Sequence, residues 1–130
     1  MTLQRRKSRQ IRIGEVAIGG DAQVSVQSMT NTDTRDVAAT LKQIDELAAA
    51  GCQIIRCALP DLNSAEAIKD IVAEAPVPVI ADIHFDYRIA LAAVKAGVHG
   101  VRINPGNIGS DDKVQMVAKA CGQSGVPIRV

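Results

Sequence analysis

Short apolar runs alternate with single amphipathic helices from residue 22 onward, at roughly 22–30 residues per repeat. No glycine-rich GxGxxG follows the first run, which disfavours a dinucleotide-binding doubly wound sheet. Strands that alternate with single helices imply a parallel sheet with right-handed crossovers. These observations predict an α/β fold: a partial (β/α)8 TIM barrel, comprising about the first four βα units and the fifth strand, preceded by a small β-hairpin. The expected organisation is a basic N-terminal arm and hairpin over residues 1–20, then the N-terminal half of a barrel over residues 21–130.

Each element has its own signal. Residues 1–9 are polar and basic and are expected to form a mobile arm. Ile11, Ile13, Val16 and Ile18 flank Gly14-Glu15, a hairpin pattern closed by Gly19-Gly20. Gln23–Gln27 reads as the first barrel strand. Thr34–Ala50 reads as a helix with Val37, Leu41, Ile44 and Ala48 on one face and Gly51 as its stop. Gln53–Leu59 is the second strand, ended by Pro60. Asn63, with Glu66 three residues on, is the expected cap of the next helix, whose inner face is Ala65, Ile68 and Val72. Val77–Ile83 is the third strand. Asp86 opens a helix that Gly97 closes. Gly100–Ile103 is the fourth strand. Ser110, Asp111 and Asp112 open a helix with Val114, Val117, Ala118 and Cys121 inward and Gly122 as its stop. Val126–Val130 begins the fifth strand. A complete barrel needs about 250 residues, so the chain reads as half of one. The two open edges are expected to be paired in a homodimer or higher assembly.

Composition narrows the function. The 130 residues are 47% hydrophobic, 22% charged and only 2% aromatic, with a net charge of +1. Few aromatics argue against a base-stacking surface, and the balanced charge argues against a field that draws nucleic acid or membrane. No apolar stretch follows the basic N-terminus, so the expected location is the cytoplasm. Cys52, Cys57 and Cys121 are odd in number and lack CxxC spacing, which predicts reduced, packed thiols.

Strand parity selects the candidate site. One face of each strand must pack on helices and be apolar, so the polar members of the alternate set point into the barrel. Those are Arg56, Asp82, His84, Arg102, Asn104 and Arg129. A barrel interior is normally filled with branched apolar side chains. Three arginines from three strands repel one another unless an anion sits among them, and guanidinium groups match phosphate oxygens in pairs. The pattern points to a phosphate or diphosphate site at the C-terminal end of the strands. A structural ion pair of Asp82 with Arg56 or Arg102 is the simpler alternative. A metal on Asp82 and His84 lacks an evident third ligand. Ser28, Thr30, Asn31 and Thr32 either donate to a ligand or cap the next helix. Asn107 and Gly109 read as turn formers, and Tyr87 and Arg88 as packing or surface residues.

Three stretches carry a longer likeness. VQSMTNTDTRDVAAT (26–40), ADIHFDYRIAL (81–91) and RINPGNIG (102–109) closely resemble the 4-hydroxy-3-methylbut-2-enyl diphosphate synthase family of the non-mevalonate isoprenoid pathway. The likeness runs from about Arg5 to Val130. It implies a barrel similar to that of dihydropteroate synthase, followed by a domain with a [4Fe–4S] cluster on three cysteines and a glutamate. It implies reductive opening of 2-C-methyl-D-erythritol 2,4-cyclodiphosphate with loss of water, and electrons from flavodoxin or ferredoxin. It also implies a homodimer in which the partner's cluster closes over the substrate. Arg56, Asp82, His84, Arg102, Asn104 and Arg129 match family positions at the diphosphate end, with a proton-transfer role open for His84. The cluster ligands have no counterpart in these residues, so the chain alone is expected to be inactive. Two other readings stay open: a pterin- and phosphate-binding barrel of the dihydropteroate synthase type, and a non-catalytic binding module.

Overall fold

The computed structural model describes residues 2–130. Residues 2–10 carry no regular secondary structure. The Ser8 hydroxyl accepts the Gly20 N–H at 3.0 Å, which lays this arm against the turn at Gly19-Gly20. The hairpin follows as β1 (Ile11–Ile13) and β2 (Val16–Ile18), antiparallel with Ile13 opposite Val16. The rest is β3 (Gln27–Met29), α1 (Val37–Ala49), β4 (Ile54–Leu59), α2 (Leu62–Glu74), β5 (Val79–Ile83), α3 (Tyr87–Lys95), β6 (Gly100–Arg102), α4 (Asp111–Ser124) and β7 (Ile128–Arg129). The five later strands form one parallel sheet in sequence order, β3-β4-β5-β6-β7. This is the expected partial barrel.

The core lies between the sheet and its helices. Ile55, Cys57 and Leu59 of β4, Val79, Ala81 and Ile83 of β5, and Val101 of β6 pack against Ile44, Ile68, Ile71, Ala90, Ala93, Val117 and Cys121 of the helices, all buried. Burying a Leu or Ile side chain is worth about 1.5–3 kcal/mol, so this layer dominates the stability. The opposite, inner face is covered only at its base. Ile54 and Ile80 are buried there, and the hairpin supplies part of the cover. A Cβ on Gly100 would lie 3.1 Å from Ile80, a tight approach within the sheet, and 3.7 Å from Ile13, so the hairpin lies directly over this position of β6.

Several boundaries differ from the sequence expectation. The first barrel strand begins at Gln27 rather than spanning 23–27, because the Gln53 side chain accepts the Val26 N–H at 2.9 Å and interrupts the ladder. Helix α2 is capped by Asp61, not Asn63. The Asp61 carboxylate accepts the Ser64 N–H at 2.8 Å and the Ser64 hydroxyl accepts the Asp61 N–H at 3.2 Å, a complete capping box two residues earlier. Helix α4 runs through Gly122 and stops at Gly125, which takes φ +66° while the Val126 N–H turns back to the Cys121 carbonyl. Its inner residues are Val114, Val117 and Cys121, as expected, and only Ala118 rolls out to solvent. Thr34 lies before α1 because its hydroxyl donates to the Ala58 carbonyl at 2.6 Å.

His99 marks the base of the barrel. Its Nδ1 accepts the Val79 N–H at 3.0 Å, and burial lowers its pKa below the usual value. Only the neutral ring accepts this bond. Because the folded pKa is depressed, the contribution is complete above the unfolded pKa of about 6.5 and is lost as pH falls toward the folded value. The urea midpoint of the wild type is therefore expected to drop between about pH 7 and about pH 5. His99→Asn, whose side-chain oxygen accepts at any pH, should drop less. Parallel declines would refute the assignment.

Candidate functional site

The inner face of the sheet is built in layers by the register. Arg56 pairs with Ile80, and Ile80 with Gly100, in one layer. The next layer toward the C-terminal ends is Ala58, Asp82, Arg102 and Arg129. Small residues at Ala58 and Gly100 leave room on this face for the long side chains of their neighbours.

Asp82 is the hub. Its side chain is only 4% exposed, yet it meets three basic groups. Arg56 Nε stands 3.4 Å from Oδ2, His84 Nε2 stands 3.5 Å from the same oxygen, and Arg102 Nη1 donates to Oδ1 at 3.3 Å. The arginine side chains are 24% and 34% exposed, so their outer nitrogens reach solvent while the carboxylate does not. Arg56 Nε is buried and not aligned to hydrogen-bond Asp82, and has no hydrogen-bond partner. Arg56 Nη2 reaches only the Met29 sulfur, a weak acceptor, at 3.5 Å. Two cations thus share one carboxylate, with donors left over. That is the electrostatic form of an anion cradle.

The other two predicted residues sit at the margin. Arg129, exposed, donates from Nη1 to Gln27 Oε1 at 3.4 Å, linking the two edge strands of the sheet. Asn104 Oδ1 accepts the Gly106 N–H at 3.1 Å and shapes the turn after β6, so its amide N–H groups are what it has to offer a ligand. Gln27 and Met29 were missed by the sequence reading. Both lie on the inner face of the strand at 27–29; the misplaced boundary hid Met29, while Gln27 stood at the end of the expected strand with no charge to single it out.

The polar loop after β3 is committed to holding the fold together. Thr30 N–H donates to the Arg56 carbonyl at 3.0 Å, Thr32 and Thr40 hydroxyls meet at 2.7 Å, and Asn31 and Gln43 exchange two bonds of 2.7 and 2.8 Å. Arg88 pairs with Asp86 at 2.8 Å on the surface. The residues present do not fit an iron–sulfur cluster. Cys52, Cys57 and Cys121 are buried on different elements, burial pushes the Cys57 and Cys121 thiols up, and among the described residues no three metal-ligating groups converge. Among these residues no helix is long and apolar enough to cross a membrane.

Comparison with known proteins decides the family. The family model described as the GcpE TIM-barrel domain matches residues 8–130. The chain belongs to the GcpE TIM-barrel family. It is 56% identical over 128 residues to the 4-hydroxy-3-methylbut-2-en-1-yl diphosphate synthase (flavodoxin) of Clostridium perfringens, covering 98% of this chain and 37% of that one. It is 59% identical over 124 residues to the enzyme of the same name from Geobacter sulfurreducens, covering 95% of this chain and 35% of that one. The GcpE-family chain thus spans about a third of the length of these relatives. Among solved structures, a mandelate oxidase mutant matches with a TM-score of 0.51 at 20% identity, over 72% of this chain and 37% of the other, a likeness of fold alone.

Proposed function

We propose that this chain is the diphosphate-binding half-barrel of a 4-hydroxy-3-methylbut-2-enyl diphosphate synthase. In this reading Arg56 and Arg102 clamp the diphosphate of 2-C-methyl-D-erythritol 2,4-cyclodiphosphate. Asp82 and His84 orient the clamp, and Asn104 and Arg129 close its margin. The observation that carries the reading is the pair of arginines held on one buried carboxylate toward the C-terminal end of the sheet, with Arg56 Nη2 engaged only by a sulfur and Arg102 spending only Nη1 on Asp82. Barrels of this type bind ligands at that end. Fixed guanidinium groups hold and orient the charged end of a substrate without reorganising as it binds.

The whole protein, in the same reading, reductively opens the cyclic diphosphate and releases water. The relatives' names point to flavodoxin as the electron donor. The iron–sulfur group of that chemistry would be held outside the residues described, in a cytoplasmic homodimer. The hairpin over 11–18 covers the base of the half-barrel over 21–130.

Titration calorimetry tests the reading. The cyclodiphosphate is expected to bind the 130-residue chain, and Arg56→Ala and Arg102→Ala are each expected to weaken it by about tenfold to 100-fold, as loss of a charge-assisted pair does. Preference for a pterin diphosphate would favour a dihydropteroate-synthase-like site instead. The chain is also expected to bind without turnover under reduced flavodoxin. Formation of 4-hydroxy-3-methylbut-2-enyl diphosphate would overturn that expectation.

A further inference from the structure

The carboxylate between the two arginines shapes what the site accepts. Resting on the diphosphate reading above, we propose that Asp82 is a specificity-determining residue that selects an anion with two separated charged lobes over a single phosphate. It does so from within the sheet, without itself holding the ligand.

The geometry is the argument. Arg56 approaches Oδ2 and Arg102 approaches Oδ1, so the carboxylate keeps the guanidinium groups on its two sides. They also rise from different layers. Arg56 pairs in register with Ile80, and Arg102 with Asp82, two residues further along β5. Asp82 is 4% exposed, walled by its strand neighbours and by His84 at 3.5 Å, so it has no room to swing aside. A lone phosphate placed to touch both arginines would have to sit against this carboxylate, and like charges at such range repel strongly in a partly desolvated site. A diphosphate avoids the conflict. Each phosphoryl group takes the spare donors of one arginine, and the bridging oxygen, which carries little charge, passes over Asp82. Arg56 turns its buried Nε toward Asp82, so its Nη2, engaged only by the weak Met29 sulfur, is the donor left on one side. On the other side, Arg102 spends only Nη1 on Asp82.

The test uses the 130-residue chain with pyrophosphate and orthophosphate as probes, by titration calorimetry at fixed ionic strength. The wild type is expected to prefer pyrophosphate by about 100-fold, and Asp82→Asn should shrink that preference to about tenfold or less. The shrinkage should come from both directions. Orthophosphate gains affinity because the repulsion is gone, and pyrophosphate loses affinity because the arginines are no longer pinned. A merely structural role would weaken both anions together, and that result overturns the proposal. Circular dichroism establishes that the variant is folded. Should Asp82→Asn not fold, Asp82→Glu keeps the charge and is expected still to exclude orthophosphate; tightened orthophosphate binding by that variant overturns the proposal. A wild type that binds both anions equally refutes this selection alone. A wild type that binds neither refutes the diphosphate reading and the selection with it.

Discussion

Asp82→Ala is expected to destabilise the chain by about 3 kcal/mol, the range seen when one partner of a buried ion pair is removed. The variant leaves Arg56 and Arg102 facing the same space with no carboxylate between them, and a cavity where a 4%-exposed side chain stood. The partial exposure of both arginines lets water recover some of the loss, which holds the effect below that of a fully buried pair. Asp82→Asn keeps the shape and one acceptor, and should cost about half as much. The measurement is the urea midpoint at constant slope, repeated with added sulfate. Sulfate should restore part of the stability of the alanine variant by supplying negative charge between the arginines, and should do little for the wild type at the same ionic strength. A loss under about 0.5 kcal/mol, in the range of ordinary surface substitutions, would show that the arginines are held by packing rather than by this carboxylate.

Gly14→Val is the second large effect, expected at about 3 kcal/mol from backbone strain and overpacking together. Gly14 has φ +59°, a conformation a β-branched residue rarely adopts. A Cβ there would also fall 2.8 Å from the Pro78 ring and 3.3 Å from His99. Proline cannot move aside as a flexible side chain could. The hairpin should lift from the base of the sheet, uncovering Ile80 and opening the His99 bond to water. Amide exchange reads this directly. The Val79 N–H, protected by His99 in the wild type, should exchange faster in the variant, while amides within α2 and α3 change less. Unchanged protection at Val79 would mean that the hairpin is not seated through Gly14.

Much of the architecture was legible because it rests on local periodicity. Strand alternation with period two separates Ile55 and Cys57 from Arg56, and Ala81 and Ile83 from Asp82, and the same arithmetic gathers Arg56, Asp82, His84 and Arg102 on one face. The structure places these four within 3.5 Å links through Asp82. The structural ion pair weighed as an alternative is also present, and it involves both arginines at once. What was illegible depends on distance in the chain or on competition between equal signals. Asp61 and Asn63 both satisfy a capping pattern, and only the hydroxyl of Ser64 decides between them. Gly122 and Gly125 both read as helix stops, and the second wins where Val126 can turn back onto Cys121. Thr30 and Thr32 look like ligand donors because their partners, the Arg56 carbonyl and Thr40, are supplied by other elements. The bond from Arg129 to Gln27 joins residues at opposite ends of the barrel region, beyond the reach of any local pattern.

The seat of the hairpin has a consequence in time. Neighbouring βα units pack chiefly on one another, α1 on α2, α2 on α3 and α3 on α4, so the layer grows unit by unit as the ribosome delivers it. The hairpin is made before the sheet it closes on, and Ile80, then His99 and Gly100, emerge roughly 60 to 90 residues later, several seconds further into synthesis. The hairpin therefore leaves the ribosome well before it can find its place. Until then the apolar base of the inner face stays open, and this interval is when the nascent chain is most exposed to misassociation and most in need of a chaperone's shelter.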